Sequence, residues 1–108
     1  MKYLIKNGTV INEGKIEQQD ILLENNLITK IGKDISDVST TIIDAADKYI
    51  IPGIIDDQVH FREPGLTHKA SIYTESKAAI AGGVTSFMEQ PNTKPSALTQ
   101  ELLEEKYQ

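Results

Sequence analysis

The 108-residue chain contains no cysteine, which excludes disulfide bridges and thiolate chemistry and fits a reducing compartment. It also lacks a long apolar run at its start. Met1-Lys2-Tyr3-Leu4-Ile5-Lys6-Asn7-Gly8 is too broken by polar residues for a signal peptide or a membrane span. A cytoplasmic location is the resulting expectation. Positive charge is scarce: 11 Lys and Arg stand against 16 Asp and Glu, a net charge of -5. That balance argues against nucleic acid and anionic membrane surfaces as partners. It does not bear on small-molecule substrates, since one local arginine can dominate a site. There is no low-complexity tract. What is present is ordinary for a soluble globular chain, with 39% apolar and 25% charged residues.

The first half reads as short strands. Tyr3-Leu4-Ile5 and Thr9-Val10-Ile11 flank Asn7-Gly8, a dipeptide that suits a two-residue hairpin turn. Ile21 to Glu24 and Leu27 to Ile31 flank Asn25-Asn26, which tolerates positive φ. Thr41 to Asp44 and Lys48 to Ile51 are two more strands, and Lys33 to Ser39 is a polar loop. Nothing in this half looks like chemistry.

Pro52-Gly53 marks a boundary. Beyond it the pattern becomes strand, helix, strand, helix, the signature of parallel β/α architecture. Ile54 to Phe61 is the first strand and Arg62 to Lys69 the loop after it. Ser71 caps a helix to about Ala81, with Gly82 in the C-cap position. Val84 to Glu89 is the second strand, Gln90 to Pro95 the second loop, and Thr99 caps a final helix. In the first strand, period-two alternation places Asp56, Gln58 and His60 on one face, roughly 6.6 Å apart in sequence steps of two. Neighbours at that spacing can converge on one metal ion. Arg62 follows, where it can hold an anion.

The run Pro52-Gly53-Ile54-Ile55-Asp56-Asp57-Gln58-Val59-His60-Phe61-Arg62-Glu63-Pro64-Gly65, followed by Ala81-Gly82-Gly83-Val84-Thr85 and Pro91-Asn92-Thr93, resembles the cyclic amidohydrolases and most closely the dihydroorotase family. Three motifs in the family order are a stronger signal than any one of them. The resemblance implies an α/β fold: residues 1–51 as part of a small N-terminal β-sandwich and residues 52–108 as the first two β/α units of an incomplete TIM (β/α)8 barrel. A whole barrel needs about 250 residues, and Thr99 to Gln108 reads as a helix without a C-cap. The expectation is therefore the N-terminal part of a longer enzyme, inactive alone, with exposed sheet edges.

The resemblance further implies a hydrolase acting on a cyclic amide C–N bond, interconverting N-carbamoyl-L-aspartate and L-dihydroorotate in pyrimidine synthesis. It implies zinc as cofactor, one or two ions, and a homodimer. His60 matches a metal-binding histidine. Arg62 matches the arginine that grips the substrate carboxylate, and its rigid guanidinium fork suits that task. Asn92 matches a second carboxylate-binding residue, through its amide N–H groups.

Each assignment has a plainer counterpart. His60 could be a core histidine, Arg62 an ion-pair partner of Glu63 or Asp57, and Asn92 a turn residue. Gln58 stands where the family has its first metal-binding histidine, and glutamine is a poor zinc ligand. The site then has fewer protein ligands or one metal, or it binds metal weakly. Asp57 points to the opposite face, and Asp56 is read as structural rather than ligating. Glu63, Pro64 and Gly65 shape the loop, His68 is a surface residue, and Glu101, Glu104 and Glu105 are a solvated helix face. Two other readings stand beside the first: a non-catalytic dihydroorotase-like scaffold subunit, and an allantoinase or hydantoinase.

Overall fold

The computed structural model describes residues 1–38 and 40–108; the end of the polar loop at Ser39 lies outside the described residues. The chain divides into two compact units, Met1–Pro52 and Gly53–Gln108.

The first unit is a mixed sheet. Strands β1 (Lys2–Asn12), β2 (Lys15–Glu24) and β3 (Leu27–Gly32) form an antiparallel meander. Strands β4 (Thr41–Asp44) and β5 (Tyr49–Ile50) pair parallel to β1, giving the order β3-β2-β1-β4 with β5 also on β1. Leu4, Ile21, Ile35 and Ala45 are its buried apolar residues. Much apolar surface stays outside: Ile28, Ile31, Ile42 and Ile43 are all exposed.

Asn7-Gly8 is not a hairpin turn. Strand β1 runs straight through it, and Ile5 pairs with Ile21 while Gly8 pairs with Gln19. Lys6 and Asn7 thus oppose Asp20 alone, a β-bulge with Asn7 at φ 64°. The bulge withdraws the Asn7 amide from the ladder, and the buried Asp20 carboxylate accepts its hydrogen at 2.9 Å. The other Asp20 oxygen accepts from the Ile35 amide at 3.0 Å and lies 3.7 Å from Lys6 Nζ. Positive φ was legible in Asn-Gly; the acceptor that turns it into a bulge is thirteen residues away. The hairpin turn is at Glu13-Gly14, with φ 49° and 74°, the two positive values that a type I′ turn needs.

The second unit is a β–α–β–α unit. Strand β6 (Ile54–Val59) pairs parallel with β7 (Val84–Glu89), joined through helix α1 (Ile72–Ala81) and followed by α2 (Gln100–Tyr107). Helix α1 opens on a capping box between Ser71 and Thr74. Gly82 closes it in a right-handed conformation, φ -87°, and the left-handed residue is the next one, Gly83, at φ 90°. Thr99 Oγ1 caps α2 by accepting from the Leu102 amide at 3.3 Å. Lys106 of α2 reaches Glu89 at the end of β7, 2.6 Å away, with both side chains largely buried. Phe61 is buried and meets Phe87 edge-on, with ring centres 4.6 Å apart.

Candidate functional site

The expected site residues fall on the two loops that follow β6 and β7. Strand β6 ends at Val59, one residue short of His60, so the strand expected to reach Phe61 is shorter. Its ladder is also irregular, with shifts between Ile54 and Ile55 and between Asp56 and Val59. The cause is local. Asp56 Oδ1 accepts the Gln58 amide hydrogen at 3.1 Å, which competes with regular strand pairing. His60 therefore lies just beyond the strand that carries Asp56 and Gln58.

The chain turns sharply after Phe61. Arg62 has φ 67°, the left-handed region that a bulky residue occupies only where its surroundings fix it. Its carbonyl accepts from the Leu66 amide at 3.1 Å. Among the described residues Arg62, half-buried, makes no ion pair. The plainer reading, in which Glu63 or Asp57 neutralises it, is not what forms. Glu63 Oε2 accepts instead from the Ile72 amide, 2.8 Å away, at the first position of α1.

The second loop is braced within itself and against the first. The amides of Thr93 and Ala97 both donate to the Pro91 carbonyl, at 2.9 and 3.1 Å. Thr93 is buried, and its hydroxyl donates to the Pro95 carbonyl at 2.8 Å. Across the loops, the Lys94 amide donates to the Pro64 carbonyl at 3.0 Å. Gly65, at φ 81°, lies so close to Lys94 that an added Cβ would sit 1.9 Å from its carbonyl oxygen.

These braces bring His60 and Asn92 together. His60 Nδ1 lies 3.1 Å from Asn92 Oδ1. A side-chain carbonyl only accepts, so in this pairing Nδ1 is the donor and Nε2 is the ring nitrogen left for another partner. Asn92 keeps its two amide hydrogens for another acceptor. His68 is exposed in the first loop, away from any hydrogen bond named here.

The donor set does not by itself make a zinc site. Zinc takes four ligands, at least three of them from protein in catalytic sites. Among the described residues no group of three or more His, Cys, Asp or Glu is placed to hold a metal ion. His60 brings one imidazole nitrogen, while Asp56 Oδ1 is engaged with the Gln58 amide and Glu63 Oε2 with that of Ile72. No helix among the described residues is long and apolar enough to cross a membrane.

The chain resembles solved hydantoinase structures. L-hydantoinase (dihydropyrimidinase) from Arthrobacter aurescens superposes on 98% of this chain with a TM-score of 0.89 and 32% identity, using 24% of its own length. Residues 47–107 match the Dihydro-orotase-like family, and the chain belongs to it. It is 45% identical over 97 residues to a dihydroorotase of Carboxydothermus hydrogenoformans, covering 88% of this chain and 23% of that protein. Against a dihydroorotase of Ligilactobacillus salivarius it is 45% identical over 107 residues, covering 96% and 25%. The chain thus spans about a quarter of the length of these relatives.

Proposed function

We propose that this chain supplies the substrate-recognising quarter of a dihydroorotase, which interconverts N-carbamoyl-L-aspartate and L-dihydroorotate by closing and opening a cyclic amide. Residues 1–51 are then part of a β-sandwich and residues 52–108 the first two β/α units of a (β/α)8 barrel, in a cytoplasmic homodimer. In such barrels the loops after the strands carry the chemistry, and both loops of this chain carry the candidate residues.

Both partners of the reaction carry a carboxylate. The Arg62 guanidinium, without a carboxylate partner among the described residues, offers two parallel N–H donors to it. Asn92 adds its free amide hydrogens from the neighbouring loop. His60 offers Nε2 as one metal donor, and the remaining donors and the general base come from outside residues 1–108. The observation that carries the reading is the unpaired Arg62 on a loop tied by backbone to that of Asn92, in a chain 45% identical to dihydroorotases.

The test is a chimera in which residues 1–108 replace the matching quarter of the Ligilactobacillus salivarius enzyme. It is expected to hydrolyse L-dihydroorotate. Arg62→Ala is expected to lower kcat/KM at least tenfold, since a hydrogen bond to a charged group is worth about 1.5–3 kcal/mol. A folded, active chimera indifferent to Arg62→Ala sinks the recognition role. A second reading, a non-catalytic scaffold subunit, is favoured by the single imidazole among the candidate ligands. It is selected if the chimera folds but is inactive until Gln58→His is introduced. A hydantoinase is selected if turnover is faster on cyclic amides that lack the carboxylate.

A further inference from the structure

We propose that Glu63 is a positioning residue whose carboxylate locks the left-handed turn at Arg62 against the start of helix α1. The inference rests on reading Arg62 and Asn92 as the substrate clamp.

The first turn of a helix leaves backbone N–H groups without partners. In α1, Ser71 Oγ takes the Thr74 hydrogen at 3.2 Å. Glu63 Oε2 takes the Ile72 hydrogen at 2.8 Å. A carboxylate is favoured there twice, as acceptor and as negative charge at the positive end of the helix. The contact spans nine residues, so it closes residues 63–72 into a ring that begins directly after Arg62.

That ring anchors the residue that follows a turn in need of constraint. Arg62 sits at φ 67°, which a long side chain adopts only when neighbours impose it. On one side Phe61 is buried against Phe87. On the other, Glu63 is pinned to α1. With Glu63 freed, the turn would keep the Phe61 contact and the Leu66 bond to the Arg62 carbonyl but lose its tie to α1. The same ring fixes Pro64, whose carbonyl receives the Lys94 amide hydrogen, so the Asn92 loop shares the constraint. A clamp built on two loops needs both ends held. Preorganised donors bind without the cost of ordering them first.

The experiment measures backbone 15N order parameters on the 108-residue chain, comparing the native sequence with Glu63→Ala and Glu63→Gln. A rigid backbone gives values of about 0.85 and a flexible one falls below about 0.6. Native Arg62 and Lys94 amides are expected in the rigid range. Glu63→Ala is expected to move Arg62 into the flexible range and to lower Lys94, with the sheet of residues 1–52 unchanged. Glu63→Gln keeps a carbonyl acceptor and is expected to restore most of the order. Unchanged Arg62 values in Glu63→Ala overturn the proposal, as does a native Arg62 that is already flexible. In the chimera, Glu63→Ala is expected to raise KM about tenfold with kcat nearly unchanged, and to add nothing once Arg62 is alanine. Order at Arg62 that depends on Glu63, combined with a KM that Arg62→Ala does not change, would keep the positioning role and discard the clamp.

Discussion

The two units of this chain are held together in different ways. Residues 1–52 form an antiparallel meander closed by two tight turns, with two short strands added parallel to β1 and a short apolar core. Its one buried carboxylate, Asp20, is matched by two backbone amides and a lysine. Residues 53–108 have two parallel strands joined by a helical crossover, and Phe61 is their only buried apolar residue among those described. That unit relies on single polar links between distant residues: Glu63 to Ile72, Lys94 to Pro64, Lys106 to Glu89. Every candidate site residue lies in this second unit. Local pairing makes a sturdy support, whereas side chains for binding stand on loops whose order depends on a few long-range contacts.

The sharpest break in the comparison is Lys106→Ala. It leaves Glu89, whose Oε1 already has no hydrogen-bond partner among the described residues, as an unpaired buried carboxylate. Removing one member of a buried pair costs about 3–5 kcal/mol. Hydrogen exchange is expected to rise throughout residues 53–108 and to stay unchanged in the β1–β2 ladder. Equal loss of protection in both units would show that they unfold as one. Asp20→Ala is the mirror experiment. It strands the Asn7 and Ile35 amides, at about 1–3 kcal/mol for each unsatisfied group, and should raise exchange in residues 1–52 alone. Asp20→Asn keeps one acceptor and should cost less.

Gly65→Ala comes third. The new Cβ would meet the Lys94 carbonyl oxygen at 1.9 Å, and φ 81° disfavours any side chain. A cost of about 1–2 kcal/mol is expected, along with loss of protection at the Lys94 amide. An unaltered Lys94 amide would mean that the two loops are not braced there.

Several local elements could be read from the sequence, because they depend on local rules. The caps Ser71 and Thr99, strand β7 and the Asn25-Asn26 turn follow from residue type and short-range pattern. The failures share a cause. Asn7-Gly8 carries the right φ preference but meets Asp20, and only the fold supplies that meeting. The strand expected to reach Phe61 stops at Val59, in an irregular stretch of ladder where the Asp56 carboxylate takes the Gln58 amide. At the site, residue identity pointed to His60, Arg62 and Asn92, but the approach of His60 to Asn92 joins positions thirty-two residues apart. Glu63 was legible only as a loop residue. An acidic residue shortly before a capped helix was the available signal, and it does not reveal which amide the carboxylate takes.

The smallest expected effect tests whether the first unit is as insensitive to its surface as its local pairing implies. Asp44, at the end of β4, has its carboxyl pKa lowered from the ordinary 3.8. The main cause is the hydrogen bond from the Asn7 side chain at 3.0 Å, followed by the Ala46 amide at 3.1 Å. A carboxyl group with a folded pKa below its unfolded one stabilises the fold above the unfolded value. That contribution is lost as pH falls through the folded value. Asp44→Asn is therefore expected to melt slightly below the native chain at neutral pH, and the gap should close below pH 3.8, where protonation makes the native side chain resemble the amide. Asp44 is solvent-exposed, so the gap should also shrink with added salt. Because Asn7 is the bulge residue, this bond couples the one irregularity of β1 to the edge strand β4. A gap that persists unchanged at low pH would mean that the substitution acts through the geometry of this bond and not through the Asp44 charge.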